Sequence, residues 1–366
     1  MTLGEPIAAG QGSRAELSID FDEGFDLGKL QRMLQDARDL AGSAGETVST
    51  LNLVAIYFSQ AAYERARPAL ETAARVHPCR MVVLIAEAKA EPPAASARVA
   101  AVRAAGTVAL ERIVLLARGR AVRHLESAMT GLLLPELPRV VVWGGRPEGP
   151  LFQHAMELGD RIVIDSGTRP LASLRAVAQL LARGAPIGDL AWARIFPWQG
   201  LAAELLDVPS LREHRSRLQS ARVVCAGDVG AEGALLGGWF ATRVKRAKVE
   251  LAIGSAPEVD SPVPGGGDGP PGDAPMAAAP VTRGNVVELQ FAAPPVTFTL
   301  RRERSILIAE VKGDDDGEVV NRVRLPPETP GRLLSIELKL LSGRDELYAE
   351  AAQAAARMDL TRWTSS

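Results

Sequence analysis

Cysteine is nearly absent from this chain: two occur in 366 residues, Cys79 and Cys225, each in a short apolar run. That excludes a disulfide-stapled secreted scaffold and points to buried thiols in a reducing compartment. A redox switch between them lacks support, because nothing beside either residue would depress a thiol pKa. Histidine is scarce too, at positions 77, 124, 154 and 214 only, and none has a metal-ligating partner at a usable spacing. No metal and no other cofactor is therefore expected. Long apolar runs are missing; the best, 131–143, is interrupted by Pro135, Glu136, Pro138 and Arg139, so it does not read as a bilayer span. The first residues lack the basic start and continuous apolar core of a secretory signal, which makes the cytoplasm the expected location. A charge bias is absent as well. With 42 Lys and Arg against 44 Asp and Glu, interspersed, neither nucleic acid nor an anionic membrane is an expected partner.

What is present is alternation. Short apolar runs at 50–57, 80–87, 112–117, 139–143, 161–165, 221–225 and 248–253 are separated by helical stretches such as 120–133, 170–183 and 231–246. This predicts an α/β fold with a mostly parallel sheet, or two such sheets, with flanking helices. Beyond Pro280 four runs look like antiparallel strands, followed by closing helices, so an α+β segment is expected at the C-terminal end. The expected organisation is an N-terminal segment, 1–47, with one helix, then an α/β domain over 48–168. A second α/β domain over 169–366 is interrupted by a Pro/Gly-rich flexible linker at about 255–282.

The most distinctive stretch is DLAWARIFPWQGLAAELLD, Asp189 to Asp207. Asp189 suits an N-cap, Pro197 suits the first turn of a helix, and Trp198, Leu201, Ala202 and Leu205 then fall on one face. Two readings stand: a buried stripe in a core, or a partner-facing anchor in which Arg194 sits between Trp192 and Trp198. His77-Pro78-Cys79-Arg80 reads as a rigid turn before a strand, or as a contact for a ligand or partner. Trp143, at the end of RVVVW, reads as a lid over a core or as a partner contact.

Catalytic signatures are missing. There is no Walker A sequence, no G-x-G-x-x-G, no G-x-S-x-G elbow and no Cys–His arrangement with a recognisable context, so no catalytic residue is assigned. Gly227, Gly230 and Gly233 follow a strand and open a helix, where backbone N–H groups can meet a phosphate, but a tight strand-to-helix turn is the leading explanation of the same glycines. Asp165 and Ser166 lie where a strand ends, the usual place for ligands in open α/β sheets, although Ser166 or Thr168 also suits a cap for the next helix.

Five blocks occur in a recognisable order: ARVHPCRMVVL from Ala74, LPRVVVWGGRPEGPLF from Leu137, DRIVIDSG from Asp160, DLAWARIFPW from Asp189 and ALLGGWFATRV from Ala234. Together they resemble the glucose-6-phosphate dehydrogenase assembly protein family, OpcA, over Val48 to Gly254, and GRDELYAEAAQAA from Gly343 fits that family's C-terminal end. The resemblance implies a non-catalytic partner that binds glucose-6-phosphate dehydrogenase, favours its active oligomer and raises its activity in the oxidative pentose phosphate pathway. Trp192, Arg194 and Trp198 match the family's most distinctive block, and His77 and Arg80 an N-terminal one; with Trp143 they are the candidate partner-binding residues. The alternative from the residues alone is an α/β enzyme or sensor holding a sugar phosphate or nucleotide at Gly227, Gly230, Gly233, Asp165 and Ser166.

Overall fold

A computed structural model describes residues 14–22, 24–41, 49–104, 107–255, 281–313, 318–326, 328–340 and 343–360. The linker expected at about 255–282 thus lies, apart from its ends, outside the described residues.

The strands in chain order are β1 (Arg14–Phe21), β2 (Leu51–Tyr57), β3 (Cys79–Glu87), β4 (Ala94–Ala104), β5 (Thr107–Arg118), β6 (Arg139–Trp143) and β7 (Arg161–Ile164). They continue with β8 (Ile187–Asp189), β9 (Ser220–Ala226), β10 (Lys248–Gly254), β11 (Val286–Ala293), β12 (Val296–Glu303), β13 (Ile306–Lys312) and β14 (Glu318–Arg324). The helices are α1 (Leu27–Leu40), α2 (Gln60–Val76), α3 (Leu125–Leu132), α4 (Pro150–Leu158) and α5 (Ser173–Ala182). After them come α6 (Leu190–Arg194), α7 (Phe196–Asp207), α8 (Ala231–Arg243), α9 (Pro330–Glu337) and α10 (Glu346–Arg357). They form two compact units, one of residues 1–164, 186–188 and 330–343, the other of 165–185, 189–329 and 344–366.

The first unit is built on an eight-stranded sheet of order β1-β4-β5-β3-β2-β6-β7-β8. Strands β5, β3, β2, β6 and β7 pair in parallel, as expected, while β4 runs antiparallel to both β1 and β5. β2 and β3 are continuous apolar runs because helices cover both faces of a parallel sheet, and every residue of β2 is buried. Asn52 alone is polar there, and its amide is satisfied by Leu134 and Leu137: it donates to both carbonyls and accepts from Leu134 N. β1 and β4 were not expected. β4, AASARVAAVRA, is alanine-rich and carries no strand propensity of its own; it is a strand because Ala97, Ala100 and Ala101 are the sizes that fit under neighbouring elements. From β2 the chain moves outward through β3 to β5 on one side, then returns to β6 and continues to β7 and β8 on the other. The order therefore reverses at β2, which makes the carboxyl ends of β2 and β6 the crevice in which open α/β sheets take ligands.

In the second unit β9-α8-β10 forms a parallel pair with a crossover helix, and the antiparallel strands expected after the linker continue the same sheet: β11 pairs with β9, giving the order β10-β9-β11-β12-β13-β14. This sheet is mostly antiparallel. Its core-facing positions alternate along β11, and Phe291 stacks on Phe298 across the β11–β12 pair with ring centroids 4.9 Å apart. α8 is buried on nearly every side, as its apolar sequence requires, because the sheet lies on one face and α10 on the other. Gly238 permits this: a Cβ there would sit 2.2 Å from the Ala351 carbonyl oxygen of α10.

Candidate functional site

In the first unit aromatic side chains gather at the ends of β2 and β6, with Trp143 and Phe152 buried and Phe58 45% exposed. Phe58, directly after β2, packs edge-on against Trp143 at 5.3 Å, and Trp143 against Phe152 at 5.0 Å. The Trp143 indole N–H donates to the Arg146 carbonyl at 2.8 Å. Gly144 and Gly145 let the chain pass: a Cβ on Gly144 would lie 2.5 Å from the Tyr57 ring, and one on Gly145 2.1 Å from the Phe58 ring. The helix that opens there, α2, has its amides spoken for. Ser59 caps Ala62 N at 3.2 Å, and Gln60 N donates to Glu87 at the end of β3 at 2.9 Å, while Arg118 holds the other Glu87 oxygen at 3.0 Å. An acidic residue at the end of the second strand holds the cofactor ribose in dinucleotide-binding sheets. Glu87 instead occupies the anion-attracting helix N-terminus that a pyrophosphate would need.

His77 and Arg80 sit at the opposite end of this sheet, where β3 begins. His77 ends α2, and its Nε2 lies 3.1 Å from the Ser335 carbonyl oxygen on α9. Arg80 Nε donates to Glu111 at 2.8 Å, and Glu111, fully buried, also accepts from Arg38 of α1. Both side chains thus tie elements of the first unit together, and neither lies near Trp143.

The tryptophan block belongs to the second unit. Asp189 caps α6 as its sequence suggests, accepting from Ala191 N at 2.9 Å and from Ser166 N at 3.0 Å, and Tyr348 donates its hydroxyl to the other oxygen at 2.9 Å. Burial raises the Asp189 pKa, and the Ser166 and Ala191 hydrogen bonds pull it back. Trp192 and Trp198 are each 2 % exposed. The stripe Trp198, Leu201, Ala202 and Leu205 is the buried face of α7. Both tryptophans and the stripe are thus buried within the second unit. Ser166 and Thr168 cap no helix: they form a short 3-10 turn capped by Asp165, Pro170 follows, and α5 begins only at Ser173.

Arg194, Asp165 and Gly230 are brought together. Arg194 makes a bidentate pair with Asp165, at 2.7 and 2.8 Å, and its Nε lies 3.7 Å from Glu232 in the first turn of α8. Asn285 donates to both Glu232 oxygens, at 3.0 and 3.1 Å. Arg194, Glu232 and Asn285, with Thr168 and Gly230, line a polar cleft of about 140 Å³, and Asp165 holds Arg194 from outside that lining. Burial alone would lower the Arg194 pKa, but Asp165 and Glu232 outweigh it and keep the guanidinium charged. The glycines answer to packing. A Cβ on Gly230 would meet the Gly284 backbone at 2.6 Å, and one on Gly233 the Cys225 sulfur at 2.2 Å; Gly227 turns with φ +63°. Both arginines at the cleft are already matched, Arg194 by Asp165 and Arg283 by Asp228. Glu232 and Asn285 escaped sequence reading, the first because a lone carboxylate in an apolar helix carries no motif, the second because its partner is 53 positions away.

Glu232 gives this cleft a pH dependence. Burial, opposed by Arg194 and Asn285 and reinforced by Glu328, pushes its carboxyl from 4.5 up to about 7. Between those values the unfolded chain releases the proton while the folded chain keeps it, so the Glu232 contribution lowers stability as pH rises through the window and is constant above it. Glu232→Gln removes the titration. The melting temperature of the variant minus that of the native chain is expected to climb from about pH 5 to about pH 7; a flat difference would sink the assignment.

Both cysteines are buried and free, and burial pushes each thiol up to about 12, so neither presents a reactive thiolate. Among the described residues no group of three or more His, Cys, Asp or Glu could hold a metal ion, and no helix is long and apolar enough to cross a membrane.

Two family models match the chain. They describe the N-terminal domain and the C-terminal domain of the glucose-6-phosphate dehydrogenase subunit, and they match residues 70–179 and 185–352 respectively. A relative from Synechocystis, described as OxPP cycle protein OpcA, is 28% identical over 240 residues, covering 61% of this chain and 49% of its own length. The chain spans at most about half the length of the curated relatives it matches, at 49%, 30% and 40%. Among solved structures, a 3-ketoreductase from Actinomadura kijaniata aligns with a TM-score of 0.44 at 10% identity, covering 84% of this chain and 95% of that one. A glucose-6-phosphate 1-dehydrogenase from Mycobacterium avium aligns at 0.43 and 11% identity, covering 85% and 91%.

Proposed function

The chain belongs to the glucose-6-phosphate dehydrogenase assembly family, OpcA, and on that premise we propose that it is a non-catalytic partner of that dehydrogenase which favours its active oligomer. It acts as an allosteric activator in the oxidative pentose phosphate pathway, in the cytoplasm. The observation that supports the non-catalytic part is the packing at the ends of β2 and β6: buried Trp143 and Phe152, with Glu87 on the α2 N-terminus, stand where a dinucleotide would bind an open α/β sheet. A partner that binds the active oligomer better than the inactive form shifts that equilibrium by its differential affinity, and this needs a surface and no nucleophile.

The test mixes the purified chain with glucose-6-phosphate dehydrogenase of the same organism, following mass by light scattering and initial rate at limiting glucose 6-phosphate. A larger complex with a raised rate is expected. Unchanged mass and rate at micromolar concentrations would overturn the reading. The second reading, a sugar-phosphate or nucleotide site, is favoured by one feature, the polar cleft between Arg194, Gly230 and Asn285. A ligand bound only by the folded chain raises its melting temperature, so glucose 6-phosphate, NADP and ATP added singly to the isolated protein separate the two readings. No shift is expected.

A further inference from the structure

The second unit carries a larger depression, between α7 and α8, that the cleft does not include. Its volume is about 410 Å³, and Ala202, Leu206, Leu218, Trp239 and Phe240 supply its apolar lining. Among the described tryptophans only Trp239 escapes full burial. Val208, just beyond α7, adds an apolar side chain that is 38% exposed.

The chain around this depression is basic. A short 3-10 turn, Arg212–Arg217, reads REHRSR and holds Arg212, Arg215 and Arg217 exposed beside Glu213. From the last residue of α8 to the first of β10, RVKRAK at 243–248 exposes Arg243, Lys245, Arg246 and Lys248 with no carboxylate among them. Arg215 and Arg243 reach the depression itself, where Asp207 is the acidic residue. Arg243 also pairs with Glu350 of α10, and Arg212 donates to the Asp207 carbonyl. Among the described residues no carboxylate pairs with Arg215, Arg217, Lys245, Arg246 or Lys248. A chain whose formal net charge is -2 thus gathers seven exposed cations in two short segments, each of which sends one arginine, Arg215 or Arg243, into the hollow.

We propose that this face is the docking surface of the chain, and that Trp239 with its apolar hollow receives a protruding apolar side chain from an acidic surface of the partner dehydrogenase. The inference rests on the partnership proposed above and assigns the surface that serves it. A desolvated centre containing Trp, ringed by Arg and open to solvent at its rim, is the anatomy of a protein–protein hot spot. The unpaired cations select an acidic partner and speed the encounter. A nucleic acid would meet the same cations but would gain nothing from an apolar hollow of this volume.

The test uses the full chain with Lys245→Glu and Arg246→Glu combined, and separately Trp239→Ala, measuring affinity for the dehydrogenase at low and physiological salt. The double reversal touches only exposed side chains, so its melting curve is expected to match the native one. Its affinity is expected to fall at least about tenfold, with a weaker salt dependence. Trp239→Ala is expected to weaken binding about thirtyfold. If the native chain binds and both variants bind equally well, the surface is wrong while the partnership stands. If the native chain does not bind the dehydrogenase at micromolar concentration, the partnership and this docking face fall together. A duplex DNA fragment is the control: loss of DNA binding in the double reversal with dehydrogenase affinity unchanged would overturn the proposal in favour of nucleic acid.

Discussion

Arg161→Ala is expected to destabilise the chain by about 3–5 kcal/mol, the usual effect of removing one partner from a buried ion pair. Arg161 is 1% exposed and Glu337 0%. The guanidinium donates from Nε at 3.1 Å and Nη2 at 2.6 Å to the same Glu337 oxygen, and from Nη1 to the Gly343 carbonyl at 3.1 Å. The pair joins β7 to α9, elements far apart in sequence. Gly188 leaves the space it occupies, since a Cβ there would lie 2.1 Å from the carboxylate. Alanine takes two charge-assisted bonds from Glu337 and puts nothing in their place. The double replacement Arg161→Met with Glu337→Leu removes both charges at once, so its cost is expected to fall well below the sum of the two single changes. Urea unfolding of Arg161→Ala, of the single changes Arg161→Met and Glu337→Leu, and of the double replacement, followed by a probe in the first unit, reads this. A loss under about 1 kcal/mol for Arg161→Ala would show that the pair is solvated in solution.

The parallel strands of the first unit were legible because each is a self-contained signal. β6 is an apolar run between Pro138 and Gly144, and it appears as read. β4 was not legible: alanine suits a buried strand only after β1 and β5 are in place, and nothing local records that. The joining of β9 to β11 in one sheet was hidden for a related reason, since the pairing spans residues 256–280 and long-range pairing leaves no mark on either strand. Trp198 to Leu205 was readable as a helical face, and that face is buried. The basic face shows the limit of averages. A net charge near zero was read as charges interspersed along the chain, yet Arg243 to Lys248 holds four cations in six positions. Only the fold sets them beside Arg212 to Arg217 and Trp239.

In the first unit Trp143 and Phe152 are packed at the place where a sheet of this order takes its ligand, with Glu87 capping the helix behind them. Opening it would require uncapping α2 and moving packed aromatic rings. Apolar surface is thereby committed to internal closure. In the second unit Trp192 and Trp198 are committed the same way, which leaves Trp239 as the described tryptophan that can still gain from being covered.

Trp192→Ala is the counterpart of Trp239→Ala, and it is expected to act on stability, by about 3–5 kcal/mol, as for a fully buried aromatic. The Trp192 ring lies 5.6 Å from Tyr348 and 6.0 Å from Phe196, and its indole N–H donates to Asp345 at 2.9 Å. Asp345 in turn caps α10 through Tyr348 N at 3.0 Å, and Tyr348 reaches Asp189, the cap of α6. One side chain therefore holds two helix starts in register. Trp192→Phe keeps most of the ring contact and loses the indole bond, so its cost is expected near 1–2 kcal/mol, with the capping of α10 intact. Thermal unfolding orders the variants, with Trp192→Ala lowest and Trp239→Ala above it because the Trp239 ring is less completely buried. Activation of the dehydrogenase, measured below all three melting temperatures, is expected to run the other way, retained by Trp192→Phe and lost by Trp239→Ala. A Trp192→Phe protein of native stability that no longer activates would move the contact from the basic face to the α6 block.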